Sequence, residues 1–172
     1  TLASALVLTS PGIPMLFMGQ EYLEDGFFSD DDPLDWDKLA LFPGIHAMYR
    51  DMIGLRRNLG GNTRGLQGNN TNVHHVDDGN KVIAFHRWDQ GGAGDDVMVI
   101  ANFKNQAWSS YRIGLPGPGL WQVRLNSDWV GYDPSFGNHQ SPDVLAEQIP
   151  YDGMPYSAPF SFGPYSALIL SQ

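Results

Sequence analysis

Two short stretches of the sequence carry a carboxylate in a setting that suits a ligand. Glu21 follows the apolar segment 13–18 and Gly19, and groups just beyond the C-terminal end of a buried strand lie where such folds place their functional residues. Asp35 precedes Trp36, and this pair suits a sugar, because an indole can pack on its apolar face while a carboxylate accepts its hydroxyls. Structural roles stay open for both, namely ordering of the loop by Glu21 and packing of Trp36 on the following helix.

A third candidate is Trp129, which follows Asn126-Ser127-Asp128 in a region without a clear strand pattern. The other aromatic residues considered in the C-terminal part are assigned mostly to the core, namely Trp88, Phe103, Trp108, Tyr111, Trp121 and Tyr132. Trp129 therefore remains available as a flat surface on which a sugar chain could stack.

The sequence predicts neither catalytic residues nor a metal or other cofactor site. The acidic run Asp30-Asp31-Asp32 fails the calcium-loop pattern, since its sixth and twelfth positions hold Asp35 and Leu41 instead of Gly and Glu. His74 and His75 should point to opposite faces of a strand and cannot chelate together. We expect these histidines and His86 to lie on the strand surface.

The elements that would position these residues fall into two parts. Residues 1–9 are expected to form the end of a helix, 13–18 a buried strand, 19–41 a long acidic loop and 43–59 an amphipathic helix with Pro at its start. A strand buried on both faces needs parallel neighbours, and no segment before it supplies them. We therefore expect residues 1–61 to be the last β-α unit of a TIM barrel, and the chain to be the C-terminal piece of a larger enzyme.

Residues 62–172 have a different pattern, with short apolar runs separated by Gly-, Pro- and Asn-rich turns. This spacing predicts an all-β antiparallel sandwich. The predicted strands cover 72–76, 82–88, 97–103, 108–113, 121–126 and 165–171. The stretch 128–159 receives no strand assignment.

Composition excludes several classes of partner. The chain of 172 residues has a net charge of −9 and no basic patch, so neither nucleic acid nor an anionic membrane is an expected partner. The absence of cysteine excludes a disulfide framework and fits a cytoplasmic protein. No apolar run approaches the roughly 20 residues that span a bilayer.

Several of these motifs together resemble the α-amylase family of glycoside hydrolases. The segment Gly12-Ile-Pro-Met-Leu-Phe-Met-Gly-Gln-Glu21 resembles the eighth barrel strand of that family, and the β part resembles its all-β C-terminal domain through Val99-Ile-Ala-Asn-Phe103 and Pro164-Tyr-Ser-Ala-Leu-Ile-Leu170. Leu34-Asp35-Trp36 and Asn126-Ser127-Asp128 favour the 1,4-α-glucan branching enzymes within it.

The resemblance implies retaining transfer of glucosyl groups by carboxylates about 5 Å apart. In that family the nucleophile, the acid/base and the third carboxylate follow barrel strands four, five and seven, which would precede residue 1. The chain alone is therefore expected to be inactive, with α-glucan and the upstream barrel as its partners and an exposed apolar surface on residues 1–20. An α-amylase-type hydrolase as the parent enzyme and a stand-alone glucan-binding module remain alternatives.

Overall fold

The computed structural model describes residues 1–27 and 29–172, with Phe28 of the predicted acidic loop lying outside the described residues. Helices occupy the first third of the chain and strands the remainder. The helices are α1 (Leu2–Thr9), α2 (Lys38–Leu41) and α3 (Pro43–Arg56), with one-turn 3₁₀ helices at Gln20–Tyr22 and Arg64–Leu66. The strands are β1 (Asn70–Asp77), β2 (Val82–Trp88), β3 (Val97–Asn102), β4 (Trp108–Leu115), β5 (Gly119–Asn126), β6 (Val144–Ala146), β7 (Tyr156–Phe162) and β8 (Ala167–Ser171).

Helix α3 begins at Pro43, as predicted, but ends three residues earlier than the sequence pattern indicated. Asn58 adopts a left-handed conformation with φ of 53°. The amide of Leu59 donates to the carbonyl of Gly54, and the amide of Asn58 donates to the carbonyl of Leu55. This pair of hydrogen bonds is a Schellman motif, so Asn58 ends the helix before the Gly60-Gly61 pair is reached.

Residues 13–18 do not form the predicted buried strand within the described chain. The segment joins no sheet of the described chain, and Ile13 and Met15 are 98% and 82% exposed. The physical reason is that a strand must pair its amide and carbonyl groups with neighbouring strands. None of the described strands lies beside this segment, so its apolar side chains stay on the surface, as expected for residues 1–20.

The C-terminal part is an all-β antiparallel sandwich, as the sequence predicts. One sheet has six strands in the order β1-β2-β3-β8-β5-β6, and the other pairs β4 with β7. All neighbouring strands in both sheets are antiparallel. The β1–β2 hairpin turns at the predicted position, where Asp77 Oδ1 accepts a hydrogen bond from the Asn80 amide.

Two strands, β6 and β7, were not predicted. Strand β6 lies within the stretch 128–159, which received no strand assignment, and β7 begins in this stretch and ends three residues beyond it. Strand β7 contains Pro159, which removes an amide donor and argues against a central strand. Strand β7 accommodates it, because Pro159 pairs with Arg112 of β4 on one side and the bridge on the other side of β7 is at Ser157.

The central strands β3 and β8 of the six-stranded sheet are buried on both faces, whereas the edge strand β1 is mostly exposed. On one face, Val97 and Val99 of β3 pack in a cluster with Met48 and Met52 of α3 and with α1. On the other face, the alternate residues of β3 pack with the β4–β7 sheet around the fully buried Trp121. The molecule therefore has three layers, and the helices share a core with the sandwich.

Two arginines fix the end of α1 against the remainder of the molecule. Arg87 of β2 is fully buried and donates hydrogen bonds to the carbonyls of Thr9, Gly68 and Asn70. Arg56 of α3 donates to the carbonyls of Ser10 and Gly12. These contacts set the direction in which the segment 13–18 leaves the helix.

Candidate functional site

The loop that carries the first two candidates is organised by a residue that the sequence analysis missed. Glu24 accepts hydrogen bonds from the amides of Gly26 and Asp35 at 3.0 and 2.8 Å and from Lys38 Nζ at 2.8 Å. The bond from Lys38, followed by the backbone amides, lowers the pKa of Glu24 from 4.5 to about 2. One carboxylate thus ties both ends of the acidic loop together.

This network predicts an acid-sensitive loop. Because the pKa of Glu24 is lower in the folded chain, the network stabilises the loop above about pH 4.5, and this stabilisation is lost as the pH falls towards 2. We expect Glu24→Gln to speed amide hydrogen exchange at Asp35 and Gly26 at pH 6, and the difference from the wild type to shrink as the pH falls through this range. NMR-detected exchange measures it.

The matched control for this variant is Asp30→Asn, which removes one negative charge from an exposed position of the same loop. It should leave exchange at Asp35 unchanged. A Glu24→Gln protein that exchanges like the wild type at pH 6 would contradict the assigned role of the carboxylate.

Asp35 and Trp36 lie on the surface of this ordered loop. Trp36 is 64% exposed, and its ring lies 5.4 Å from that of the buried Tyr22, tilted by 36°. Asp35 Oδ1 accepts a hydrogen bond from the Asp37 amide at 3.0 Å, which orients the carboxylate. Contact of Trp36 with Tyr22 rather than burial under α3 leaves much of the indole accessible.

Glu21 lies in a different environment from Asp35, although both precede an aromatic residue. It lines a hollow of about 520 Å³ together with Met18 and with Tyr49 and Ile53 of α3. Among the described residues its carboxylate has no hydrogen-bond donor. The hollow is therefore a mainly apolar depression whose wall holds the Glu21 carboxylate together with His46 and Arg50 of α3.

Trp129 lies at the opposite side of α3, in a cleft of about 350 Å³. The indole is 51% exposed and meets the ring of Tyr132 edge-on, with centroids 5.0 Å apart. The Tyr132 hydroxyl donates to Asp51 Oδ2 of α3 at 2.8 Å, and burial followed by this bond raises the pKa of Tyr132. The structure thus does not bring Trp129 together with the other three candidates.

The Asn126-Ser127-Asp128 motif builds the loop that carries Trp129. Asp128 accepts hydrogen bonds from the amides of Gly137 and His139, each at 2.8 Å, and Asn126 Oδ1 accepts one from the Asp128 amide. Ser127 Oγ accepts a bond from the Ala167 amide of β8. The sequence contained a signal for this loop, because Asn, Ser and Asp side chains commonly accept hydrogen bonds from nearby backbone amides.

The histidines differ from the sequence-based expectation. A β-bulge between Val73 and His75 interrupts the alternation of β1. As a result both His74 and His75 face β4, where His74 Nε2 lies 3.1 Å from the Gly114 carbonyl and His75 Nε2 lies 3.0 Å from the Tyr111 hydroxyl. The predicted opposite orientation is therefore wrong.

Two of the three histidines are also buried, which contradicts the predicted surface positions. His75 Nδ1 lies 3.0 Å from Asp152 Oδ2, and His86 Nε2 lies 2.9 Å from Asp96 Oδ1. Each imidazole is thus buried beside one carboxylate, with no cluster of three ligand-type side chains within residues 1–27 and 29–172.

None of the described helices is both long and apolar enough to cross a bilayer.

Residues 72–172 match the family model of the alpha amylase, C-terminal all-beta domain. The chain belongs to this family. The match spans β1 to β8 except for the first two residues of β1, which confirms the resemblance seen in the sequence. The α-amylase C-terminal domain family thus accounts for the sandwich, and the helical residues before it lie outside the family model.

Relatives that extend over the helical part are named 1,4-alpha-glucan branching enzyme GlgB. The protein of Burkholderia thailandensis is 33% identical over 170 residues, which are 94% of this chain and 20% of that protein. The protein of Nocardia farcinica is 34% identical over 176 residues, which are 97% of this chain and 23% of that protein. The chain therefore spans about one fifth of the length of these relatives.

Two solved structures share the fold of this chain. The debranching enzyme from Nostoc punctiforme aligns with a TM-score of 0.65 and 14% identity, over 99% of this chain and 30% of that one. The alpha-amylase from H. orenii aligns with a TM-score of 0.61 and 14% identity, over 99% of this chain and 34% of that one. At this identity the likeness concerns the fold alone.

Proposed function

We propose that this chain is the C-terminal segment of a 1,4-α-glucan branching enzyme of glycogen biosynthesis in the cytoplasm. The observation that carries the proposal is the identity to the two branching enzymes, which covers 94% and 97% of the chain and so includes its helical part. In this proposal residues 1–61 are the last β-α unit of the barrel and residues 62–172 are the sandwich domain that completes the fold.

The exposed segment 13–18 supports this division. Its apolar side chains and the hollow beside α3 form a surface that a protein in water keeps small unless another surface covers it. The preceding barrel strands of the parent enzyme would cover it, with 13–18 as the eighth strand and α3 as the eighth helix. Glu21 would then lie at the C-terminal mouth of the barrel.

Within the parent enzyme this chain would contribute contacts to the glucan rather than reacting groups. The resemblance places the three catalytic carboxylates upstream, so the chain by itself is expected to be inactive. Glu21, Asp35 and Trp36 would contact the glucan at the barrel mouth, and Trp129 would contact it on the sandwich. The exposed indole of Trp36 next to the oriented Asp35 supports the contact made by this pair.

A fusion protein tests the proposal. The part of the Nocardia farcinica relative that precedes the matched segment is joined to this chain and incubated with amylose. We expect the iodine absorbance of amylose to fall without a rise in reducing ends, because transfer to a sugar hydroxyl creates a branch and releases no free sugar end. Trp36→Ala in the same fusion should lower kcat/KM about three- to tenfold through the lost stacking contact.

The intact Nocardia farcinica relative serves as the control for activity, and circular dichroism checks that the fusion is folded. A folded fusion that releases reducing ends in step with the loss of absorbance would show a hydrolase segment instead. A folded fusion without action on amylose would overturn the proposal.

A further inference from the structure

Four side chains form a hydrogen-bonded network between the two sheets of the sandwich. His75 of β1 is buried in its middle, with Nδ1 3.0 Å from Asp152 Oδ2 and Nε2 3.0 Å from the Tyr111 hydroxyl. Tyr111 of β4 in turn donates to Asp77 Oδ2 of β1 at 2.6 Å. This chain of contacts, the His75 network, therefore joins β1 to β4 and to the turn that carries Asp152.

Asp152 reaches the network from a two-residue hairpin turn. Tyr151 and Met154 exchange backbone hydrogen bonds of 3.1 and 2.9 Å, and Asp152 and Gly153 between them have φ of 53° and 72°. An Asp-Gly pair is preferred in such a turn, because both central residues are left-handed. A Cβ atom added to Gly114 of β4 would lie 2.3 Å from the Tyr151 carbonyl oxygen, so the turn packs directly on β4.

The contacts of the His75 network require more protons than its groups hold when the histidine is neutral. Each of the three contacts needs one proton between its two atoms. A neutral imidazole carries one such proton and the tyrosine hydroxyl carries one, whereas ionised carboxylates carry none. The network therefore needs one further proton, which makes the ring of His75 an imidazolium that donates to Asp152 and to Tyr111.

The other groups of the network are in the states that this assignment requires. The bond from the Tyr111 hydroxyl, followed by that from the Asn80 amide, lowers the pKa of Asp77 to about 2. Burial, followed by the bond to Asp77, raises the pKa of Tyr111. Asp77 is thus an ionised acceptor at neutral pH, and Tyr111 uses its only proton to bond to it. The hydroxyl oxygen can then only accept from His75 Nε2.

His74, the preceding residue of β1, does not compete for the positive charge. Its ring nitrogens also face two acceptors, the carbonyls of Asn72 and Gly114 at 3.3 and 3.1 Å. Burial, however, lowers the pKa of His74, so its ring is neutral and donates at the shorter contact. The titratable groups around His75 are thus His74 and Asp77 from its own strand, Tyr111 from β4, and Asp152 and Tyr151 from the turn.

We propose that the His75 network is a proton-dependent switch, in which an imidazolium at His75 holds the Tyr151–Met154 turn and β1 against β4, and loss of its proton breaks one of the contacts. A histidine of the unfolded chain is mostly neutral above about pH 6.5. Because the folded network binds the proton more tightly, protonation stabilises the closed turn, and this stabilisation is lost as the pH rises. The switch does not depend on the proposed enzymatic function.

NMR of the 172-residue chain labelled with ¹⁵N in histidine tests the charge. At pH 7.5 we expect both ring nitrogens of His75 to be protonated and His74 to be neutral, with the His75 signals identified by their loss in His75→Gln. Tyr111→Phe removes the hydroxyl and leaves one contact to the ring, for which a neutral imidazole suffices. This variant should lose the ring proton about one pH unit below the wild type, a tenfold change in proton affinity.

Tyr132→Phe is the matched control, because it removes another tyrosine hydroxyl that donates to a carboxylate, that of Asp51, outside the network. It should leave the His75 signals unchanged.

Amide exchange at Gly114, which donates to Asp152 Oδ2 at 3.0 Å, measures the opening of the turn. Its protection factor should fall about tenfold between pH 6 and pH 9, in step with the lost proton. In Asp152→Asn the fall should be absent, because an amide group supplies a proton to His75 Nδ1 that does not titrate. Asparagine also tolerates the left-handed conformation of this position.

A neutral His75 ring at pH 7.5 in the wild type would overturn the proposal. A folded Tyr111→Phe variant that keeps the ring proton to the same pH as the wild type would also overturn it, since an ion pair with Asp152 would then suffice. So would a wild-type protection factor at Gly114 that does not change between pH 6 and pH 9. Circular dichroism checks folding, and should Tyr111→Phe not fold, the wild-type spectrum still decides the charge.

Discussion

Replacing Arg87 with methionine is expected to lower the free energy of unfolding by about 3–5 kcal/mol. The side chain is fully buried and bonds to the carbonyls of Thr9, Gly68 and Asn70, which belong to three separate segments. Burial, with a smaller effect of Arg56, lowers the pKa of Arg87 to about 10, so the guanidinium remains charged at neutral pH. Methionine fills the space but leaves these carbonyls without donors, and each such loss destabilises by about 1–3 kcal/mol.

Urea unfolding followed by fluorescence measures this change as a lower midpoint at an unchanged slope. Arg87→Lys serves as the comparison, since an ammonium keeps the charge but cannot reach three carbonyls in one plane. Its loss should be smaller than that of Arg87→Met. A methionine variant within about 1 kcal/mol of the wild type would show that the helical part does not depend on this contact.

A second large effect is expected at Gly44, in the first turn of α3. A Cβ atom at this position would lie 2.1 Å from the Tyr132 carbonyl oxygen, a backbone atom that cannot rotate away. Gly44→Ala must therefore push the loop that carries Trp129 off the helix. We expect a loss of about 2–4 kcal/mol in the free energy of unfolding, of the size found when a tight contact is overfilled.

The same helix offers a matched control in Gly54. A Cβ atom there would meet only the flexible end of Leu59, at 4.0 Å. Gly54→Ala should stabilise the protein by about 0.5–1 kcal/mol, because alanine is the better helix former. Thermal unfolding of both variants measures the contrast. Equal effects of the two substitutions would contradict the close approach of α3 to the loop.

The two predictions share one structural cause, which is that helices and sandwich are parts of a single core. Met48 and Met52 of α3 pack with Val97 and Val99 of β3, and Arg87 of β2 bonds to the end of α1. In each variant, the helical part and the sandwich should therefore unfold in a single transition. The Trp129 cleft is lined by residues of the sandwich and is linked to α3 by the bond from the Tyr132 hydroxyl to Asp51, so its shape depends on both parts.

Sequence reasoning succeeded where the signal is local. The three- and four-residue spacing of apolar side chains predicted α3, and an Asp-Asp-Gly-Asn turn predicted the β1–β2 hairpin. Strand β2 has the predicted bounds, Val82–Trp88. Such patterns persist because helix and hairpin formation depend on neighbours within a few residues. The motifs of the family are likewise contiguous, so the resemblance could be recognised without a structure.

Tertiary structure decided the features that depend on residues distant in the chain. Pro159 concealed β7, because a proline is tolerated only where its strand needs no amide donor, and Pro159 has a strand partner on one side alone. The bulge in β1 turned both His74 and His75 towards β4, since one extra residue reverses the alternation of a strand. Segment 13–18 has an apolar composition typical of a buried strand, but no described strand lies beside it to pair with its backbone.

The candidate site divides in the same way. The sequence by itself singled out Glu21, Asp35, Trp36 and Trp129 as residue types suited to a carbohydrate, because that suitability is a property of each side chain. Only the fold decided that Glu24 holds the acidic loop closed and that Trp129 lies on the far side of α3 from the other three. Distances between residues that are far apart in the chain are fixed by packing, and packing cannot be predicted from a local stretch of the sequence.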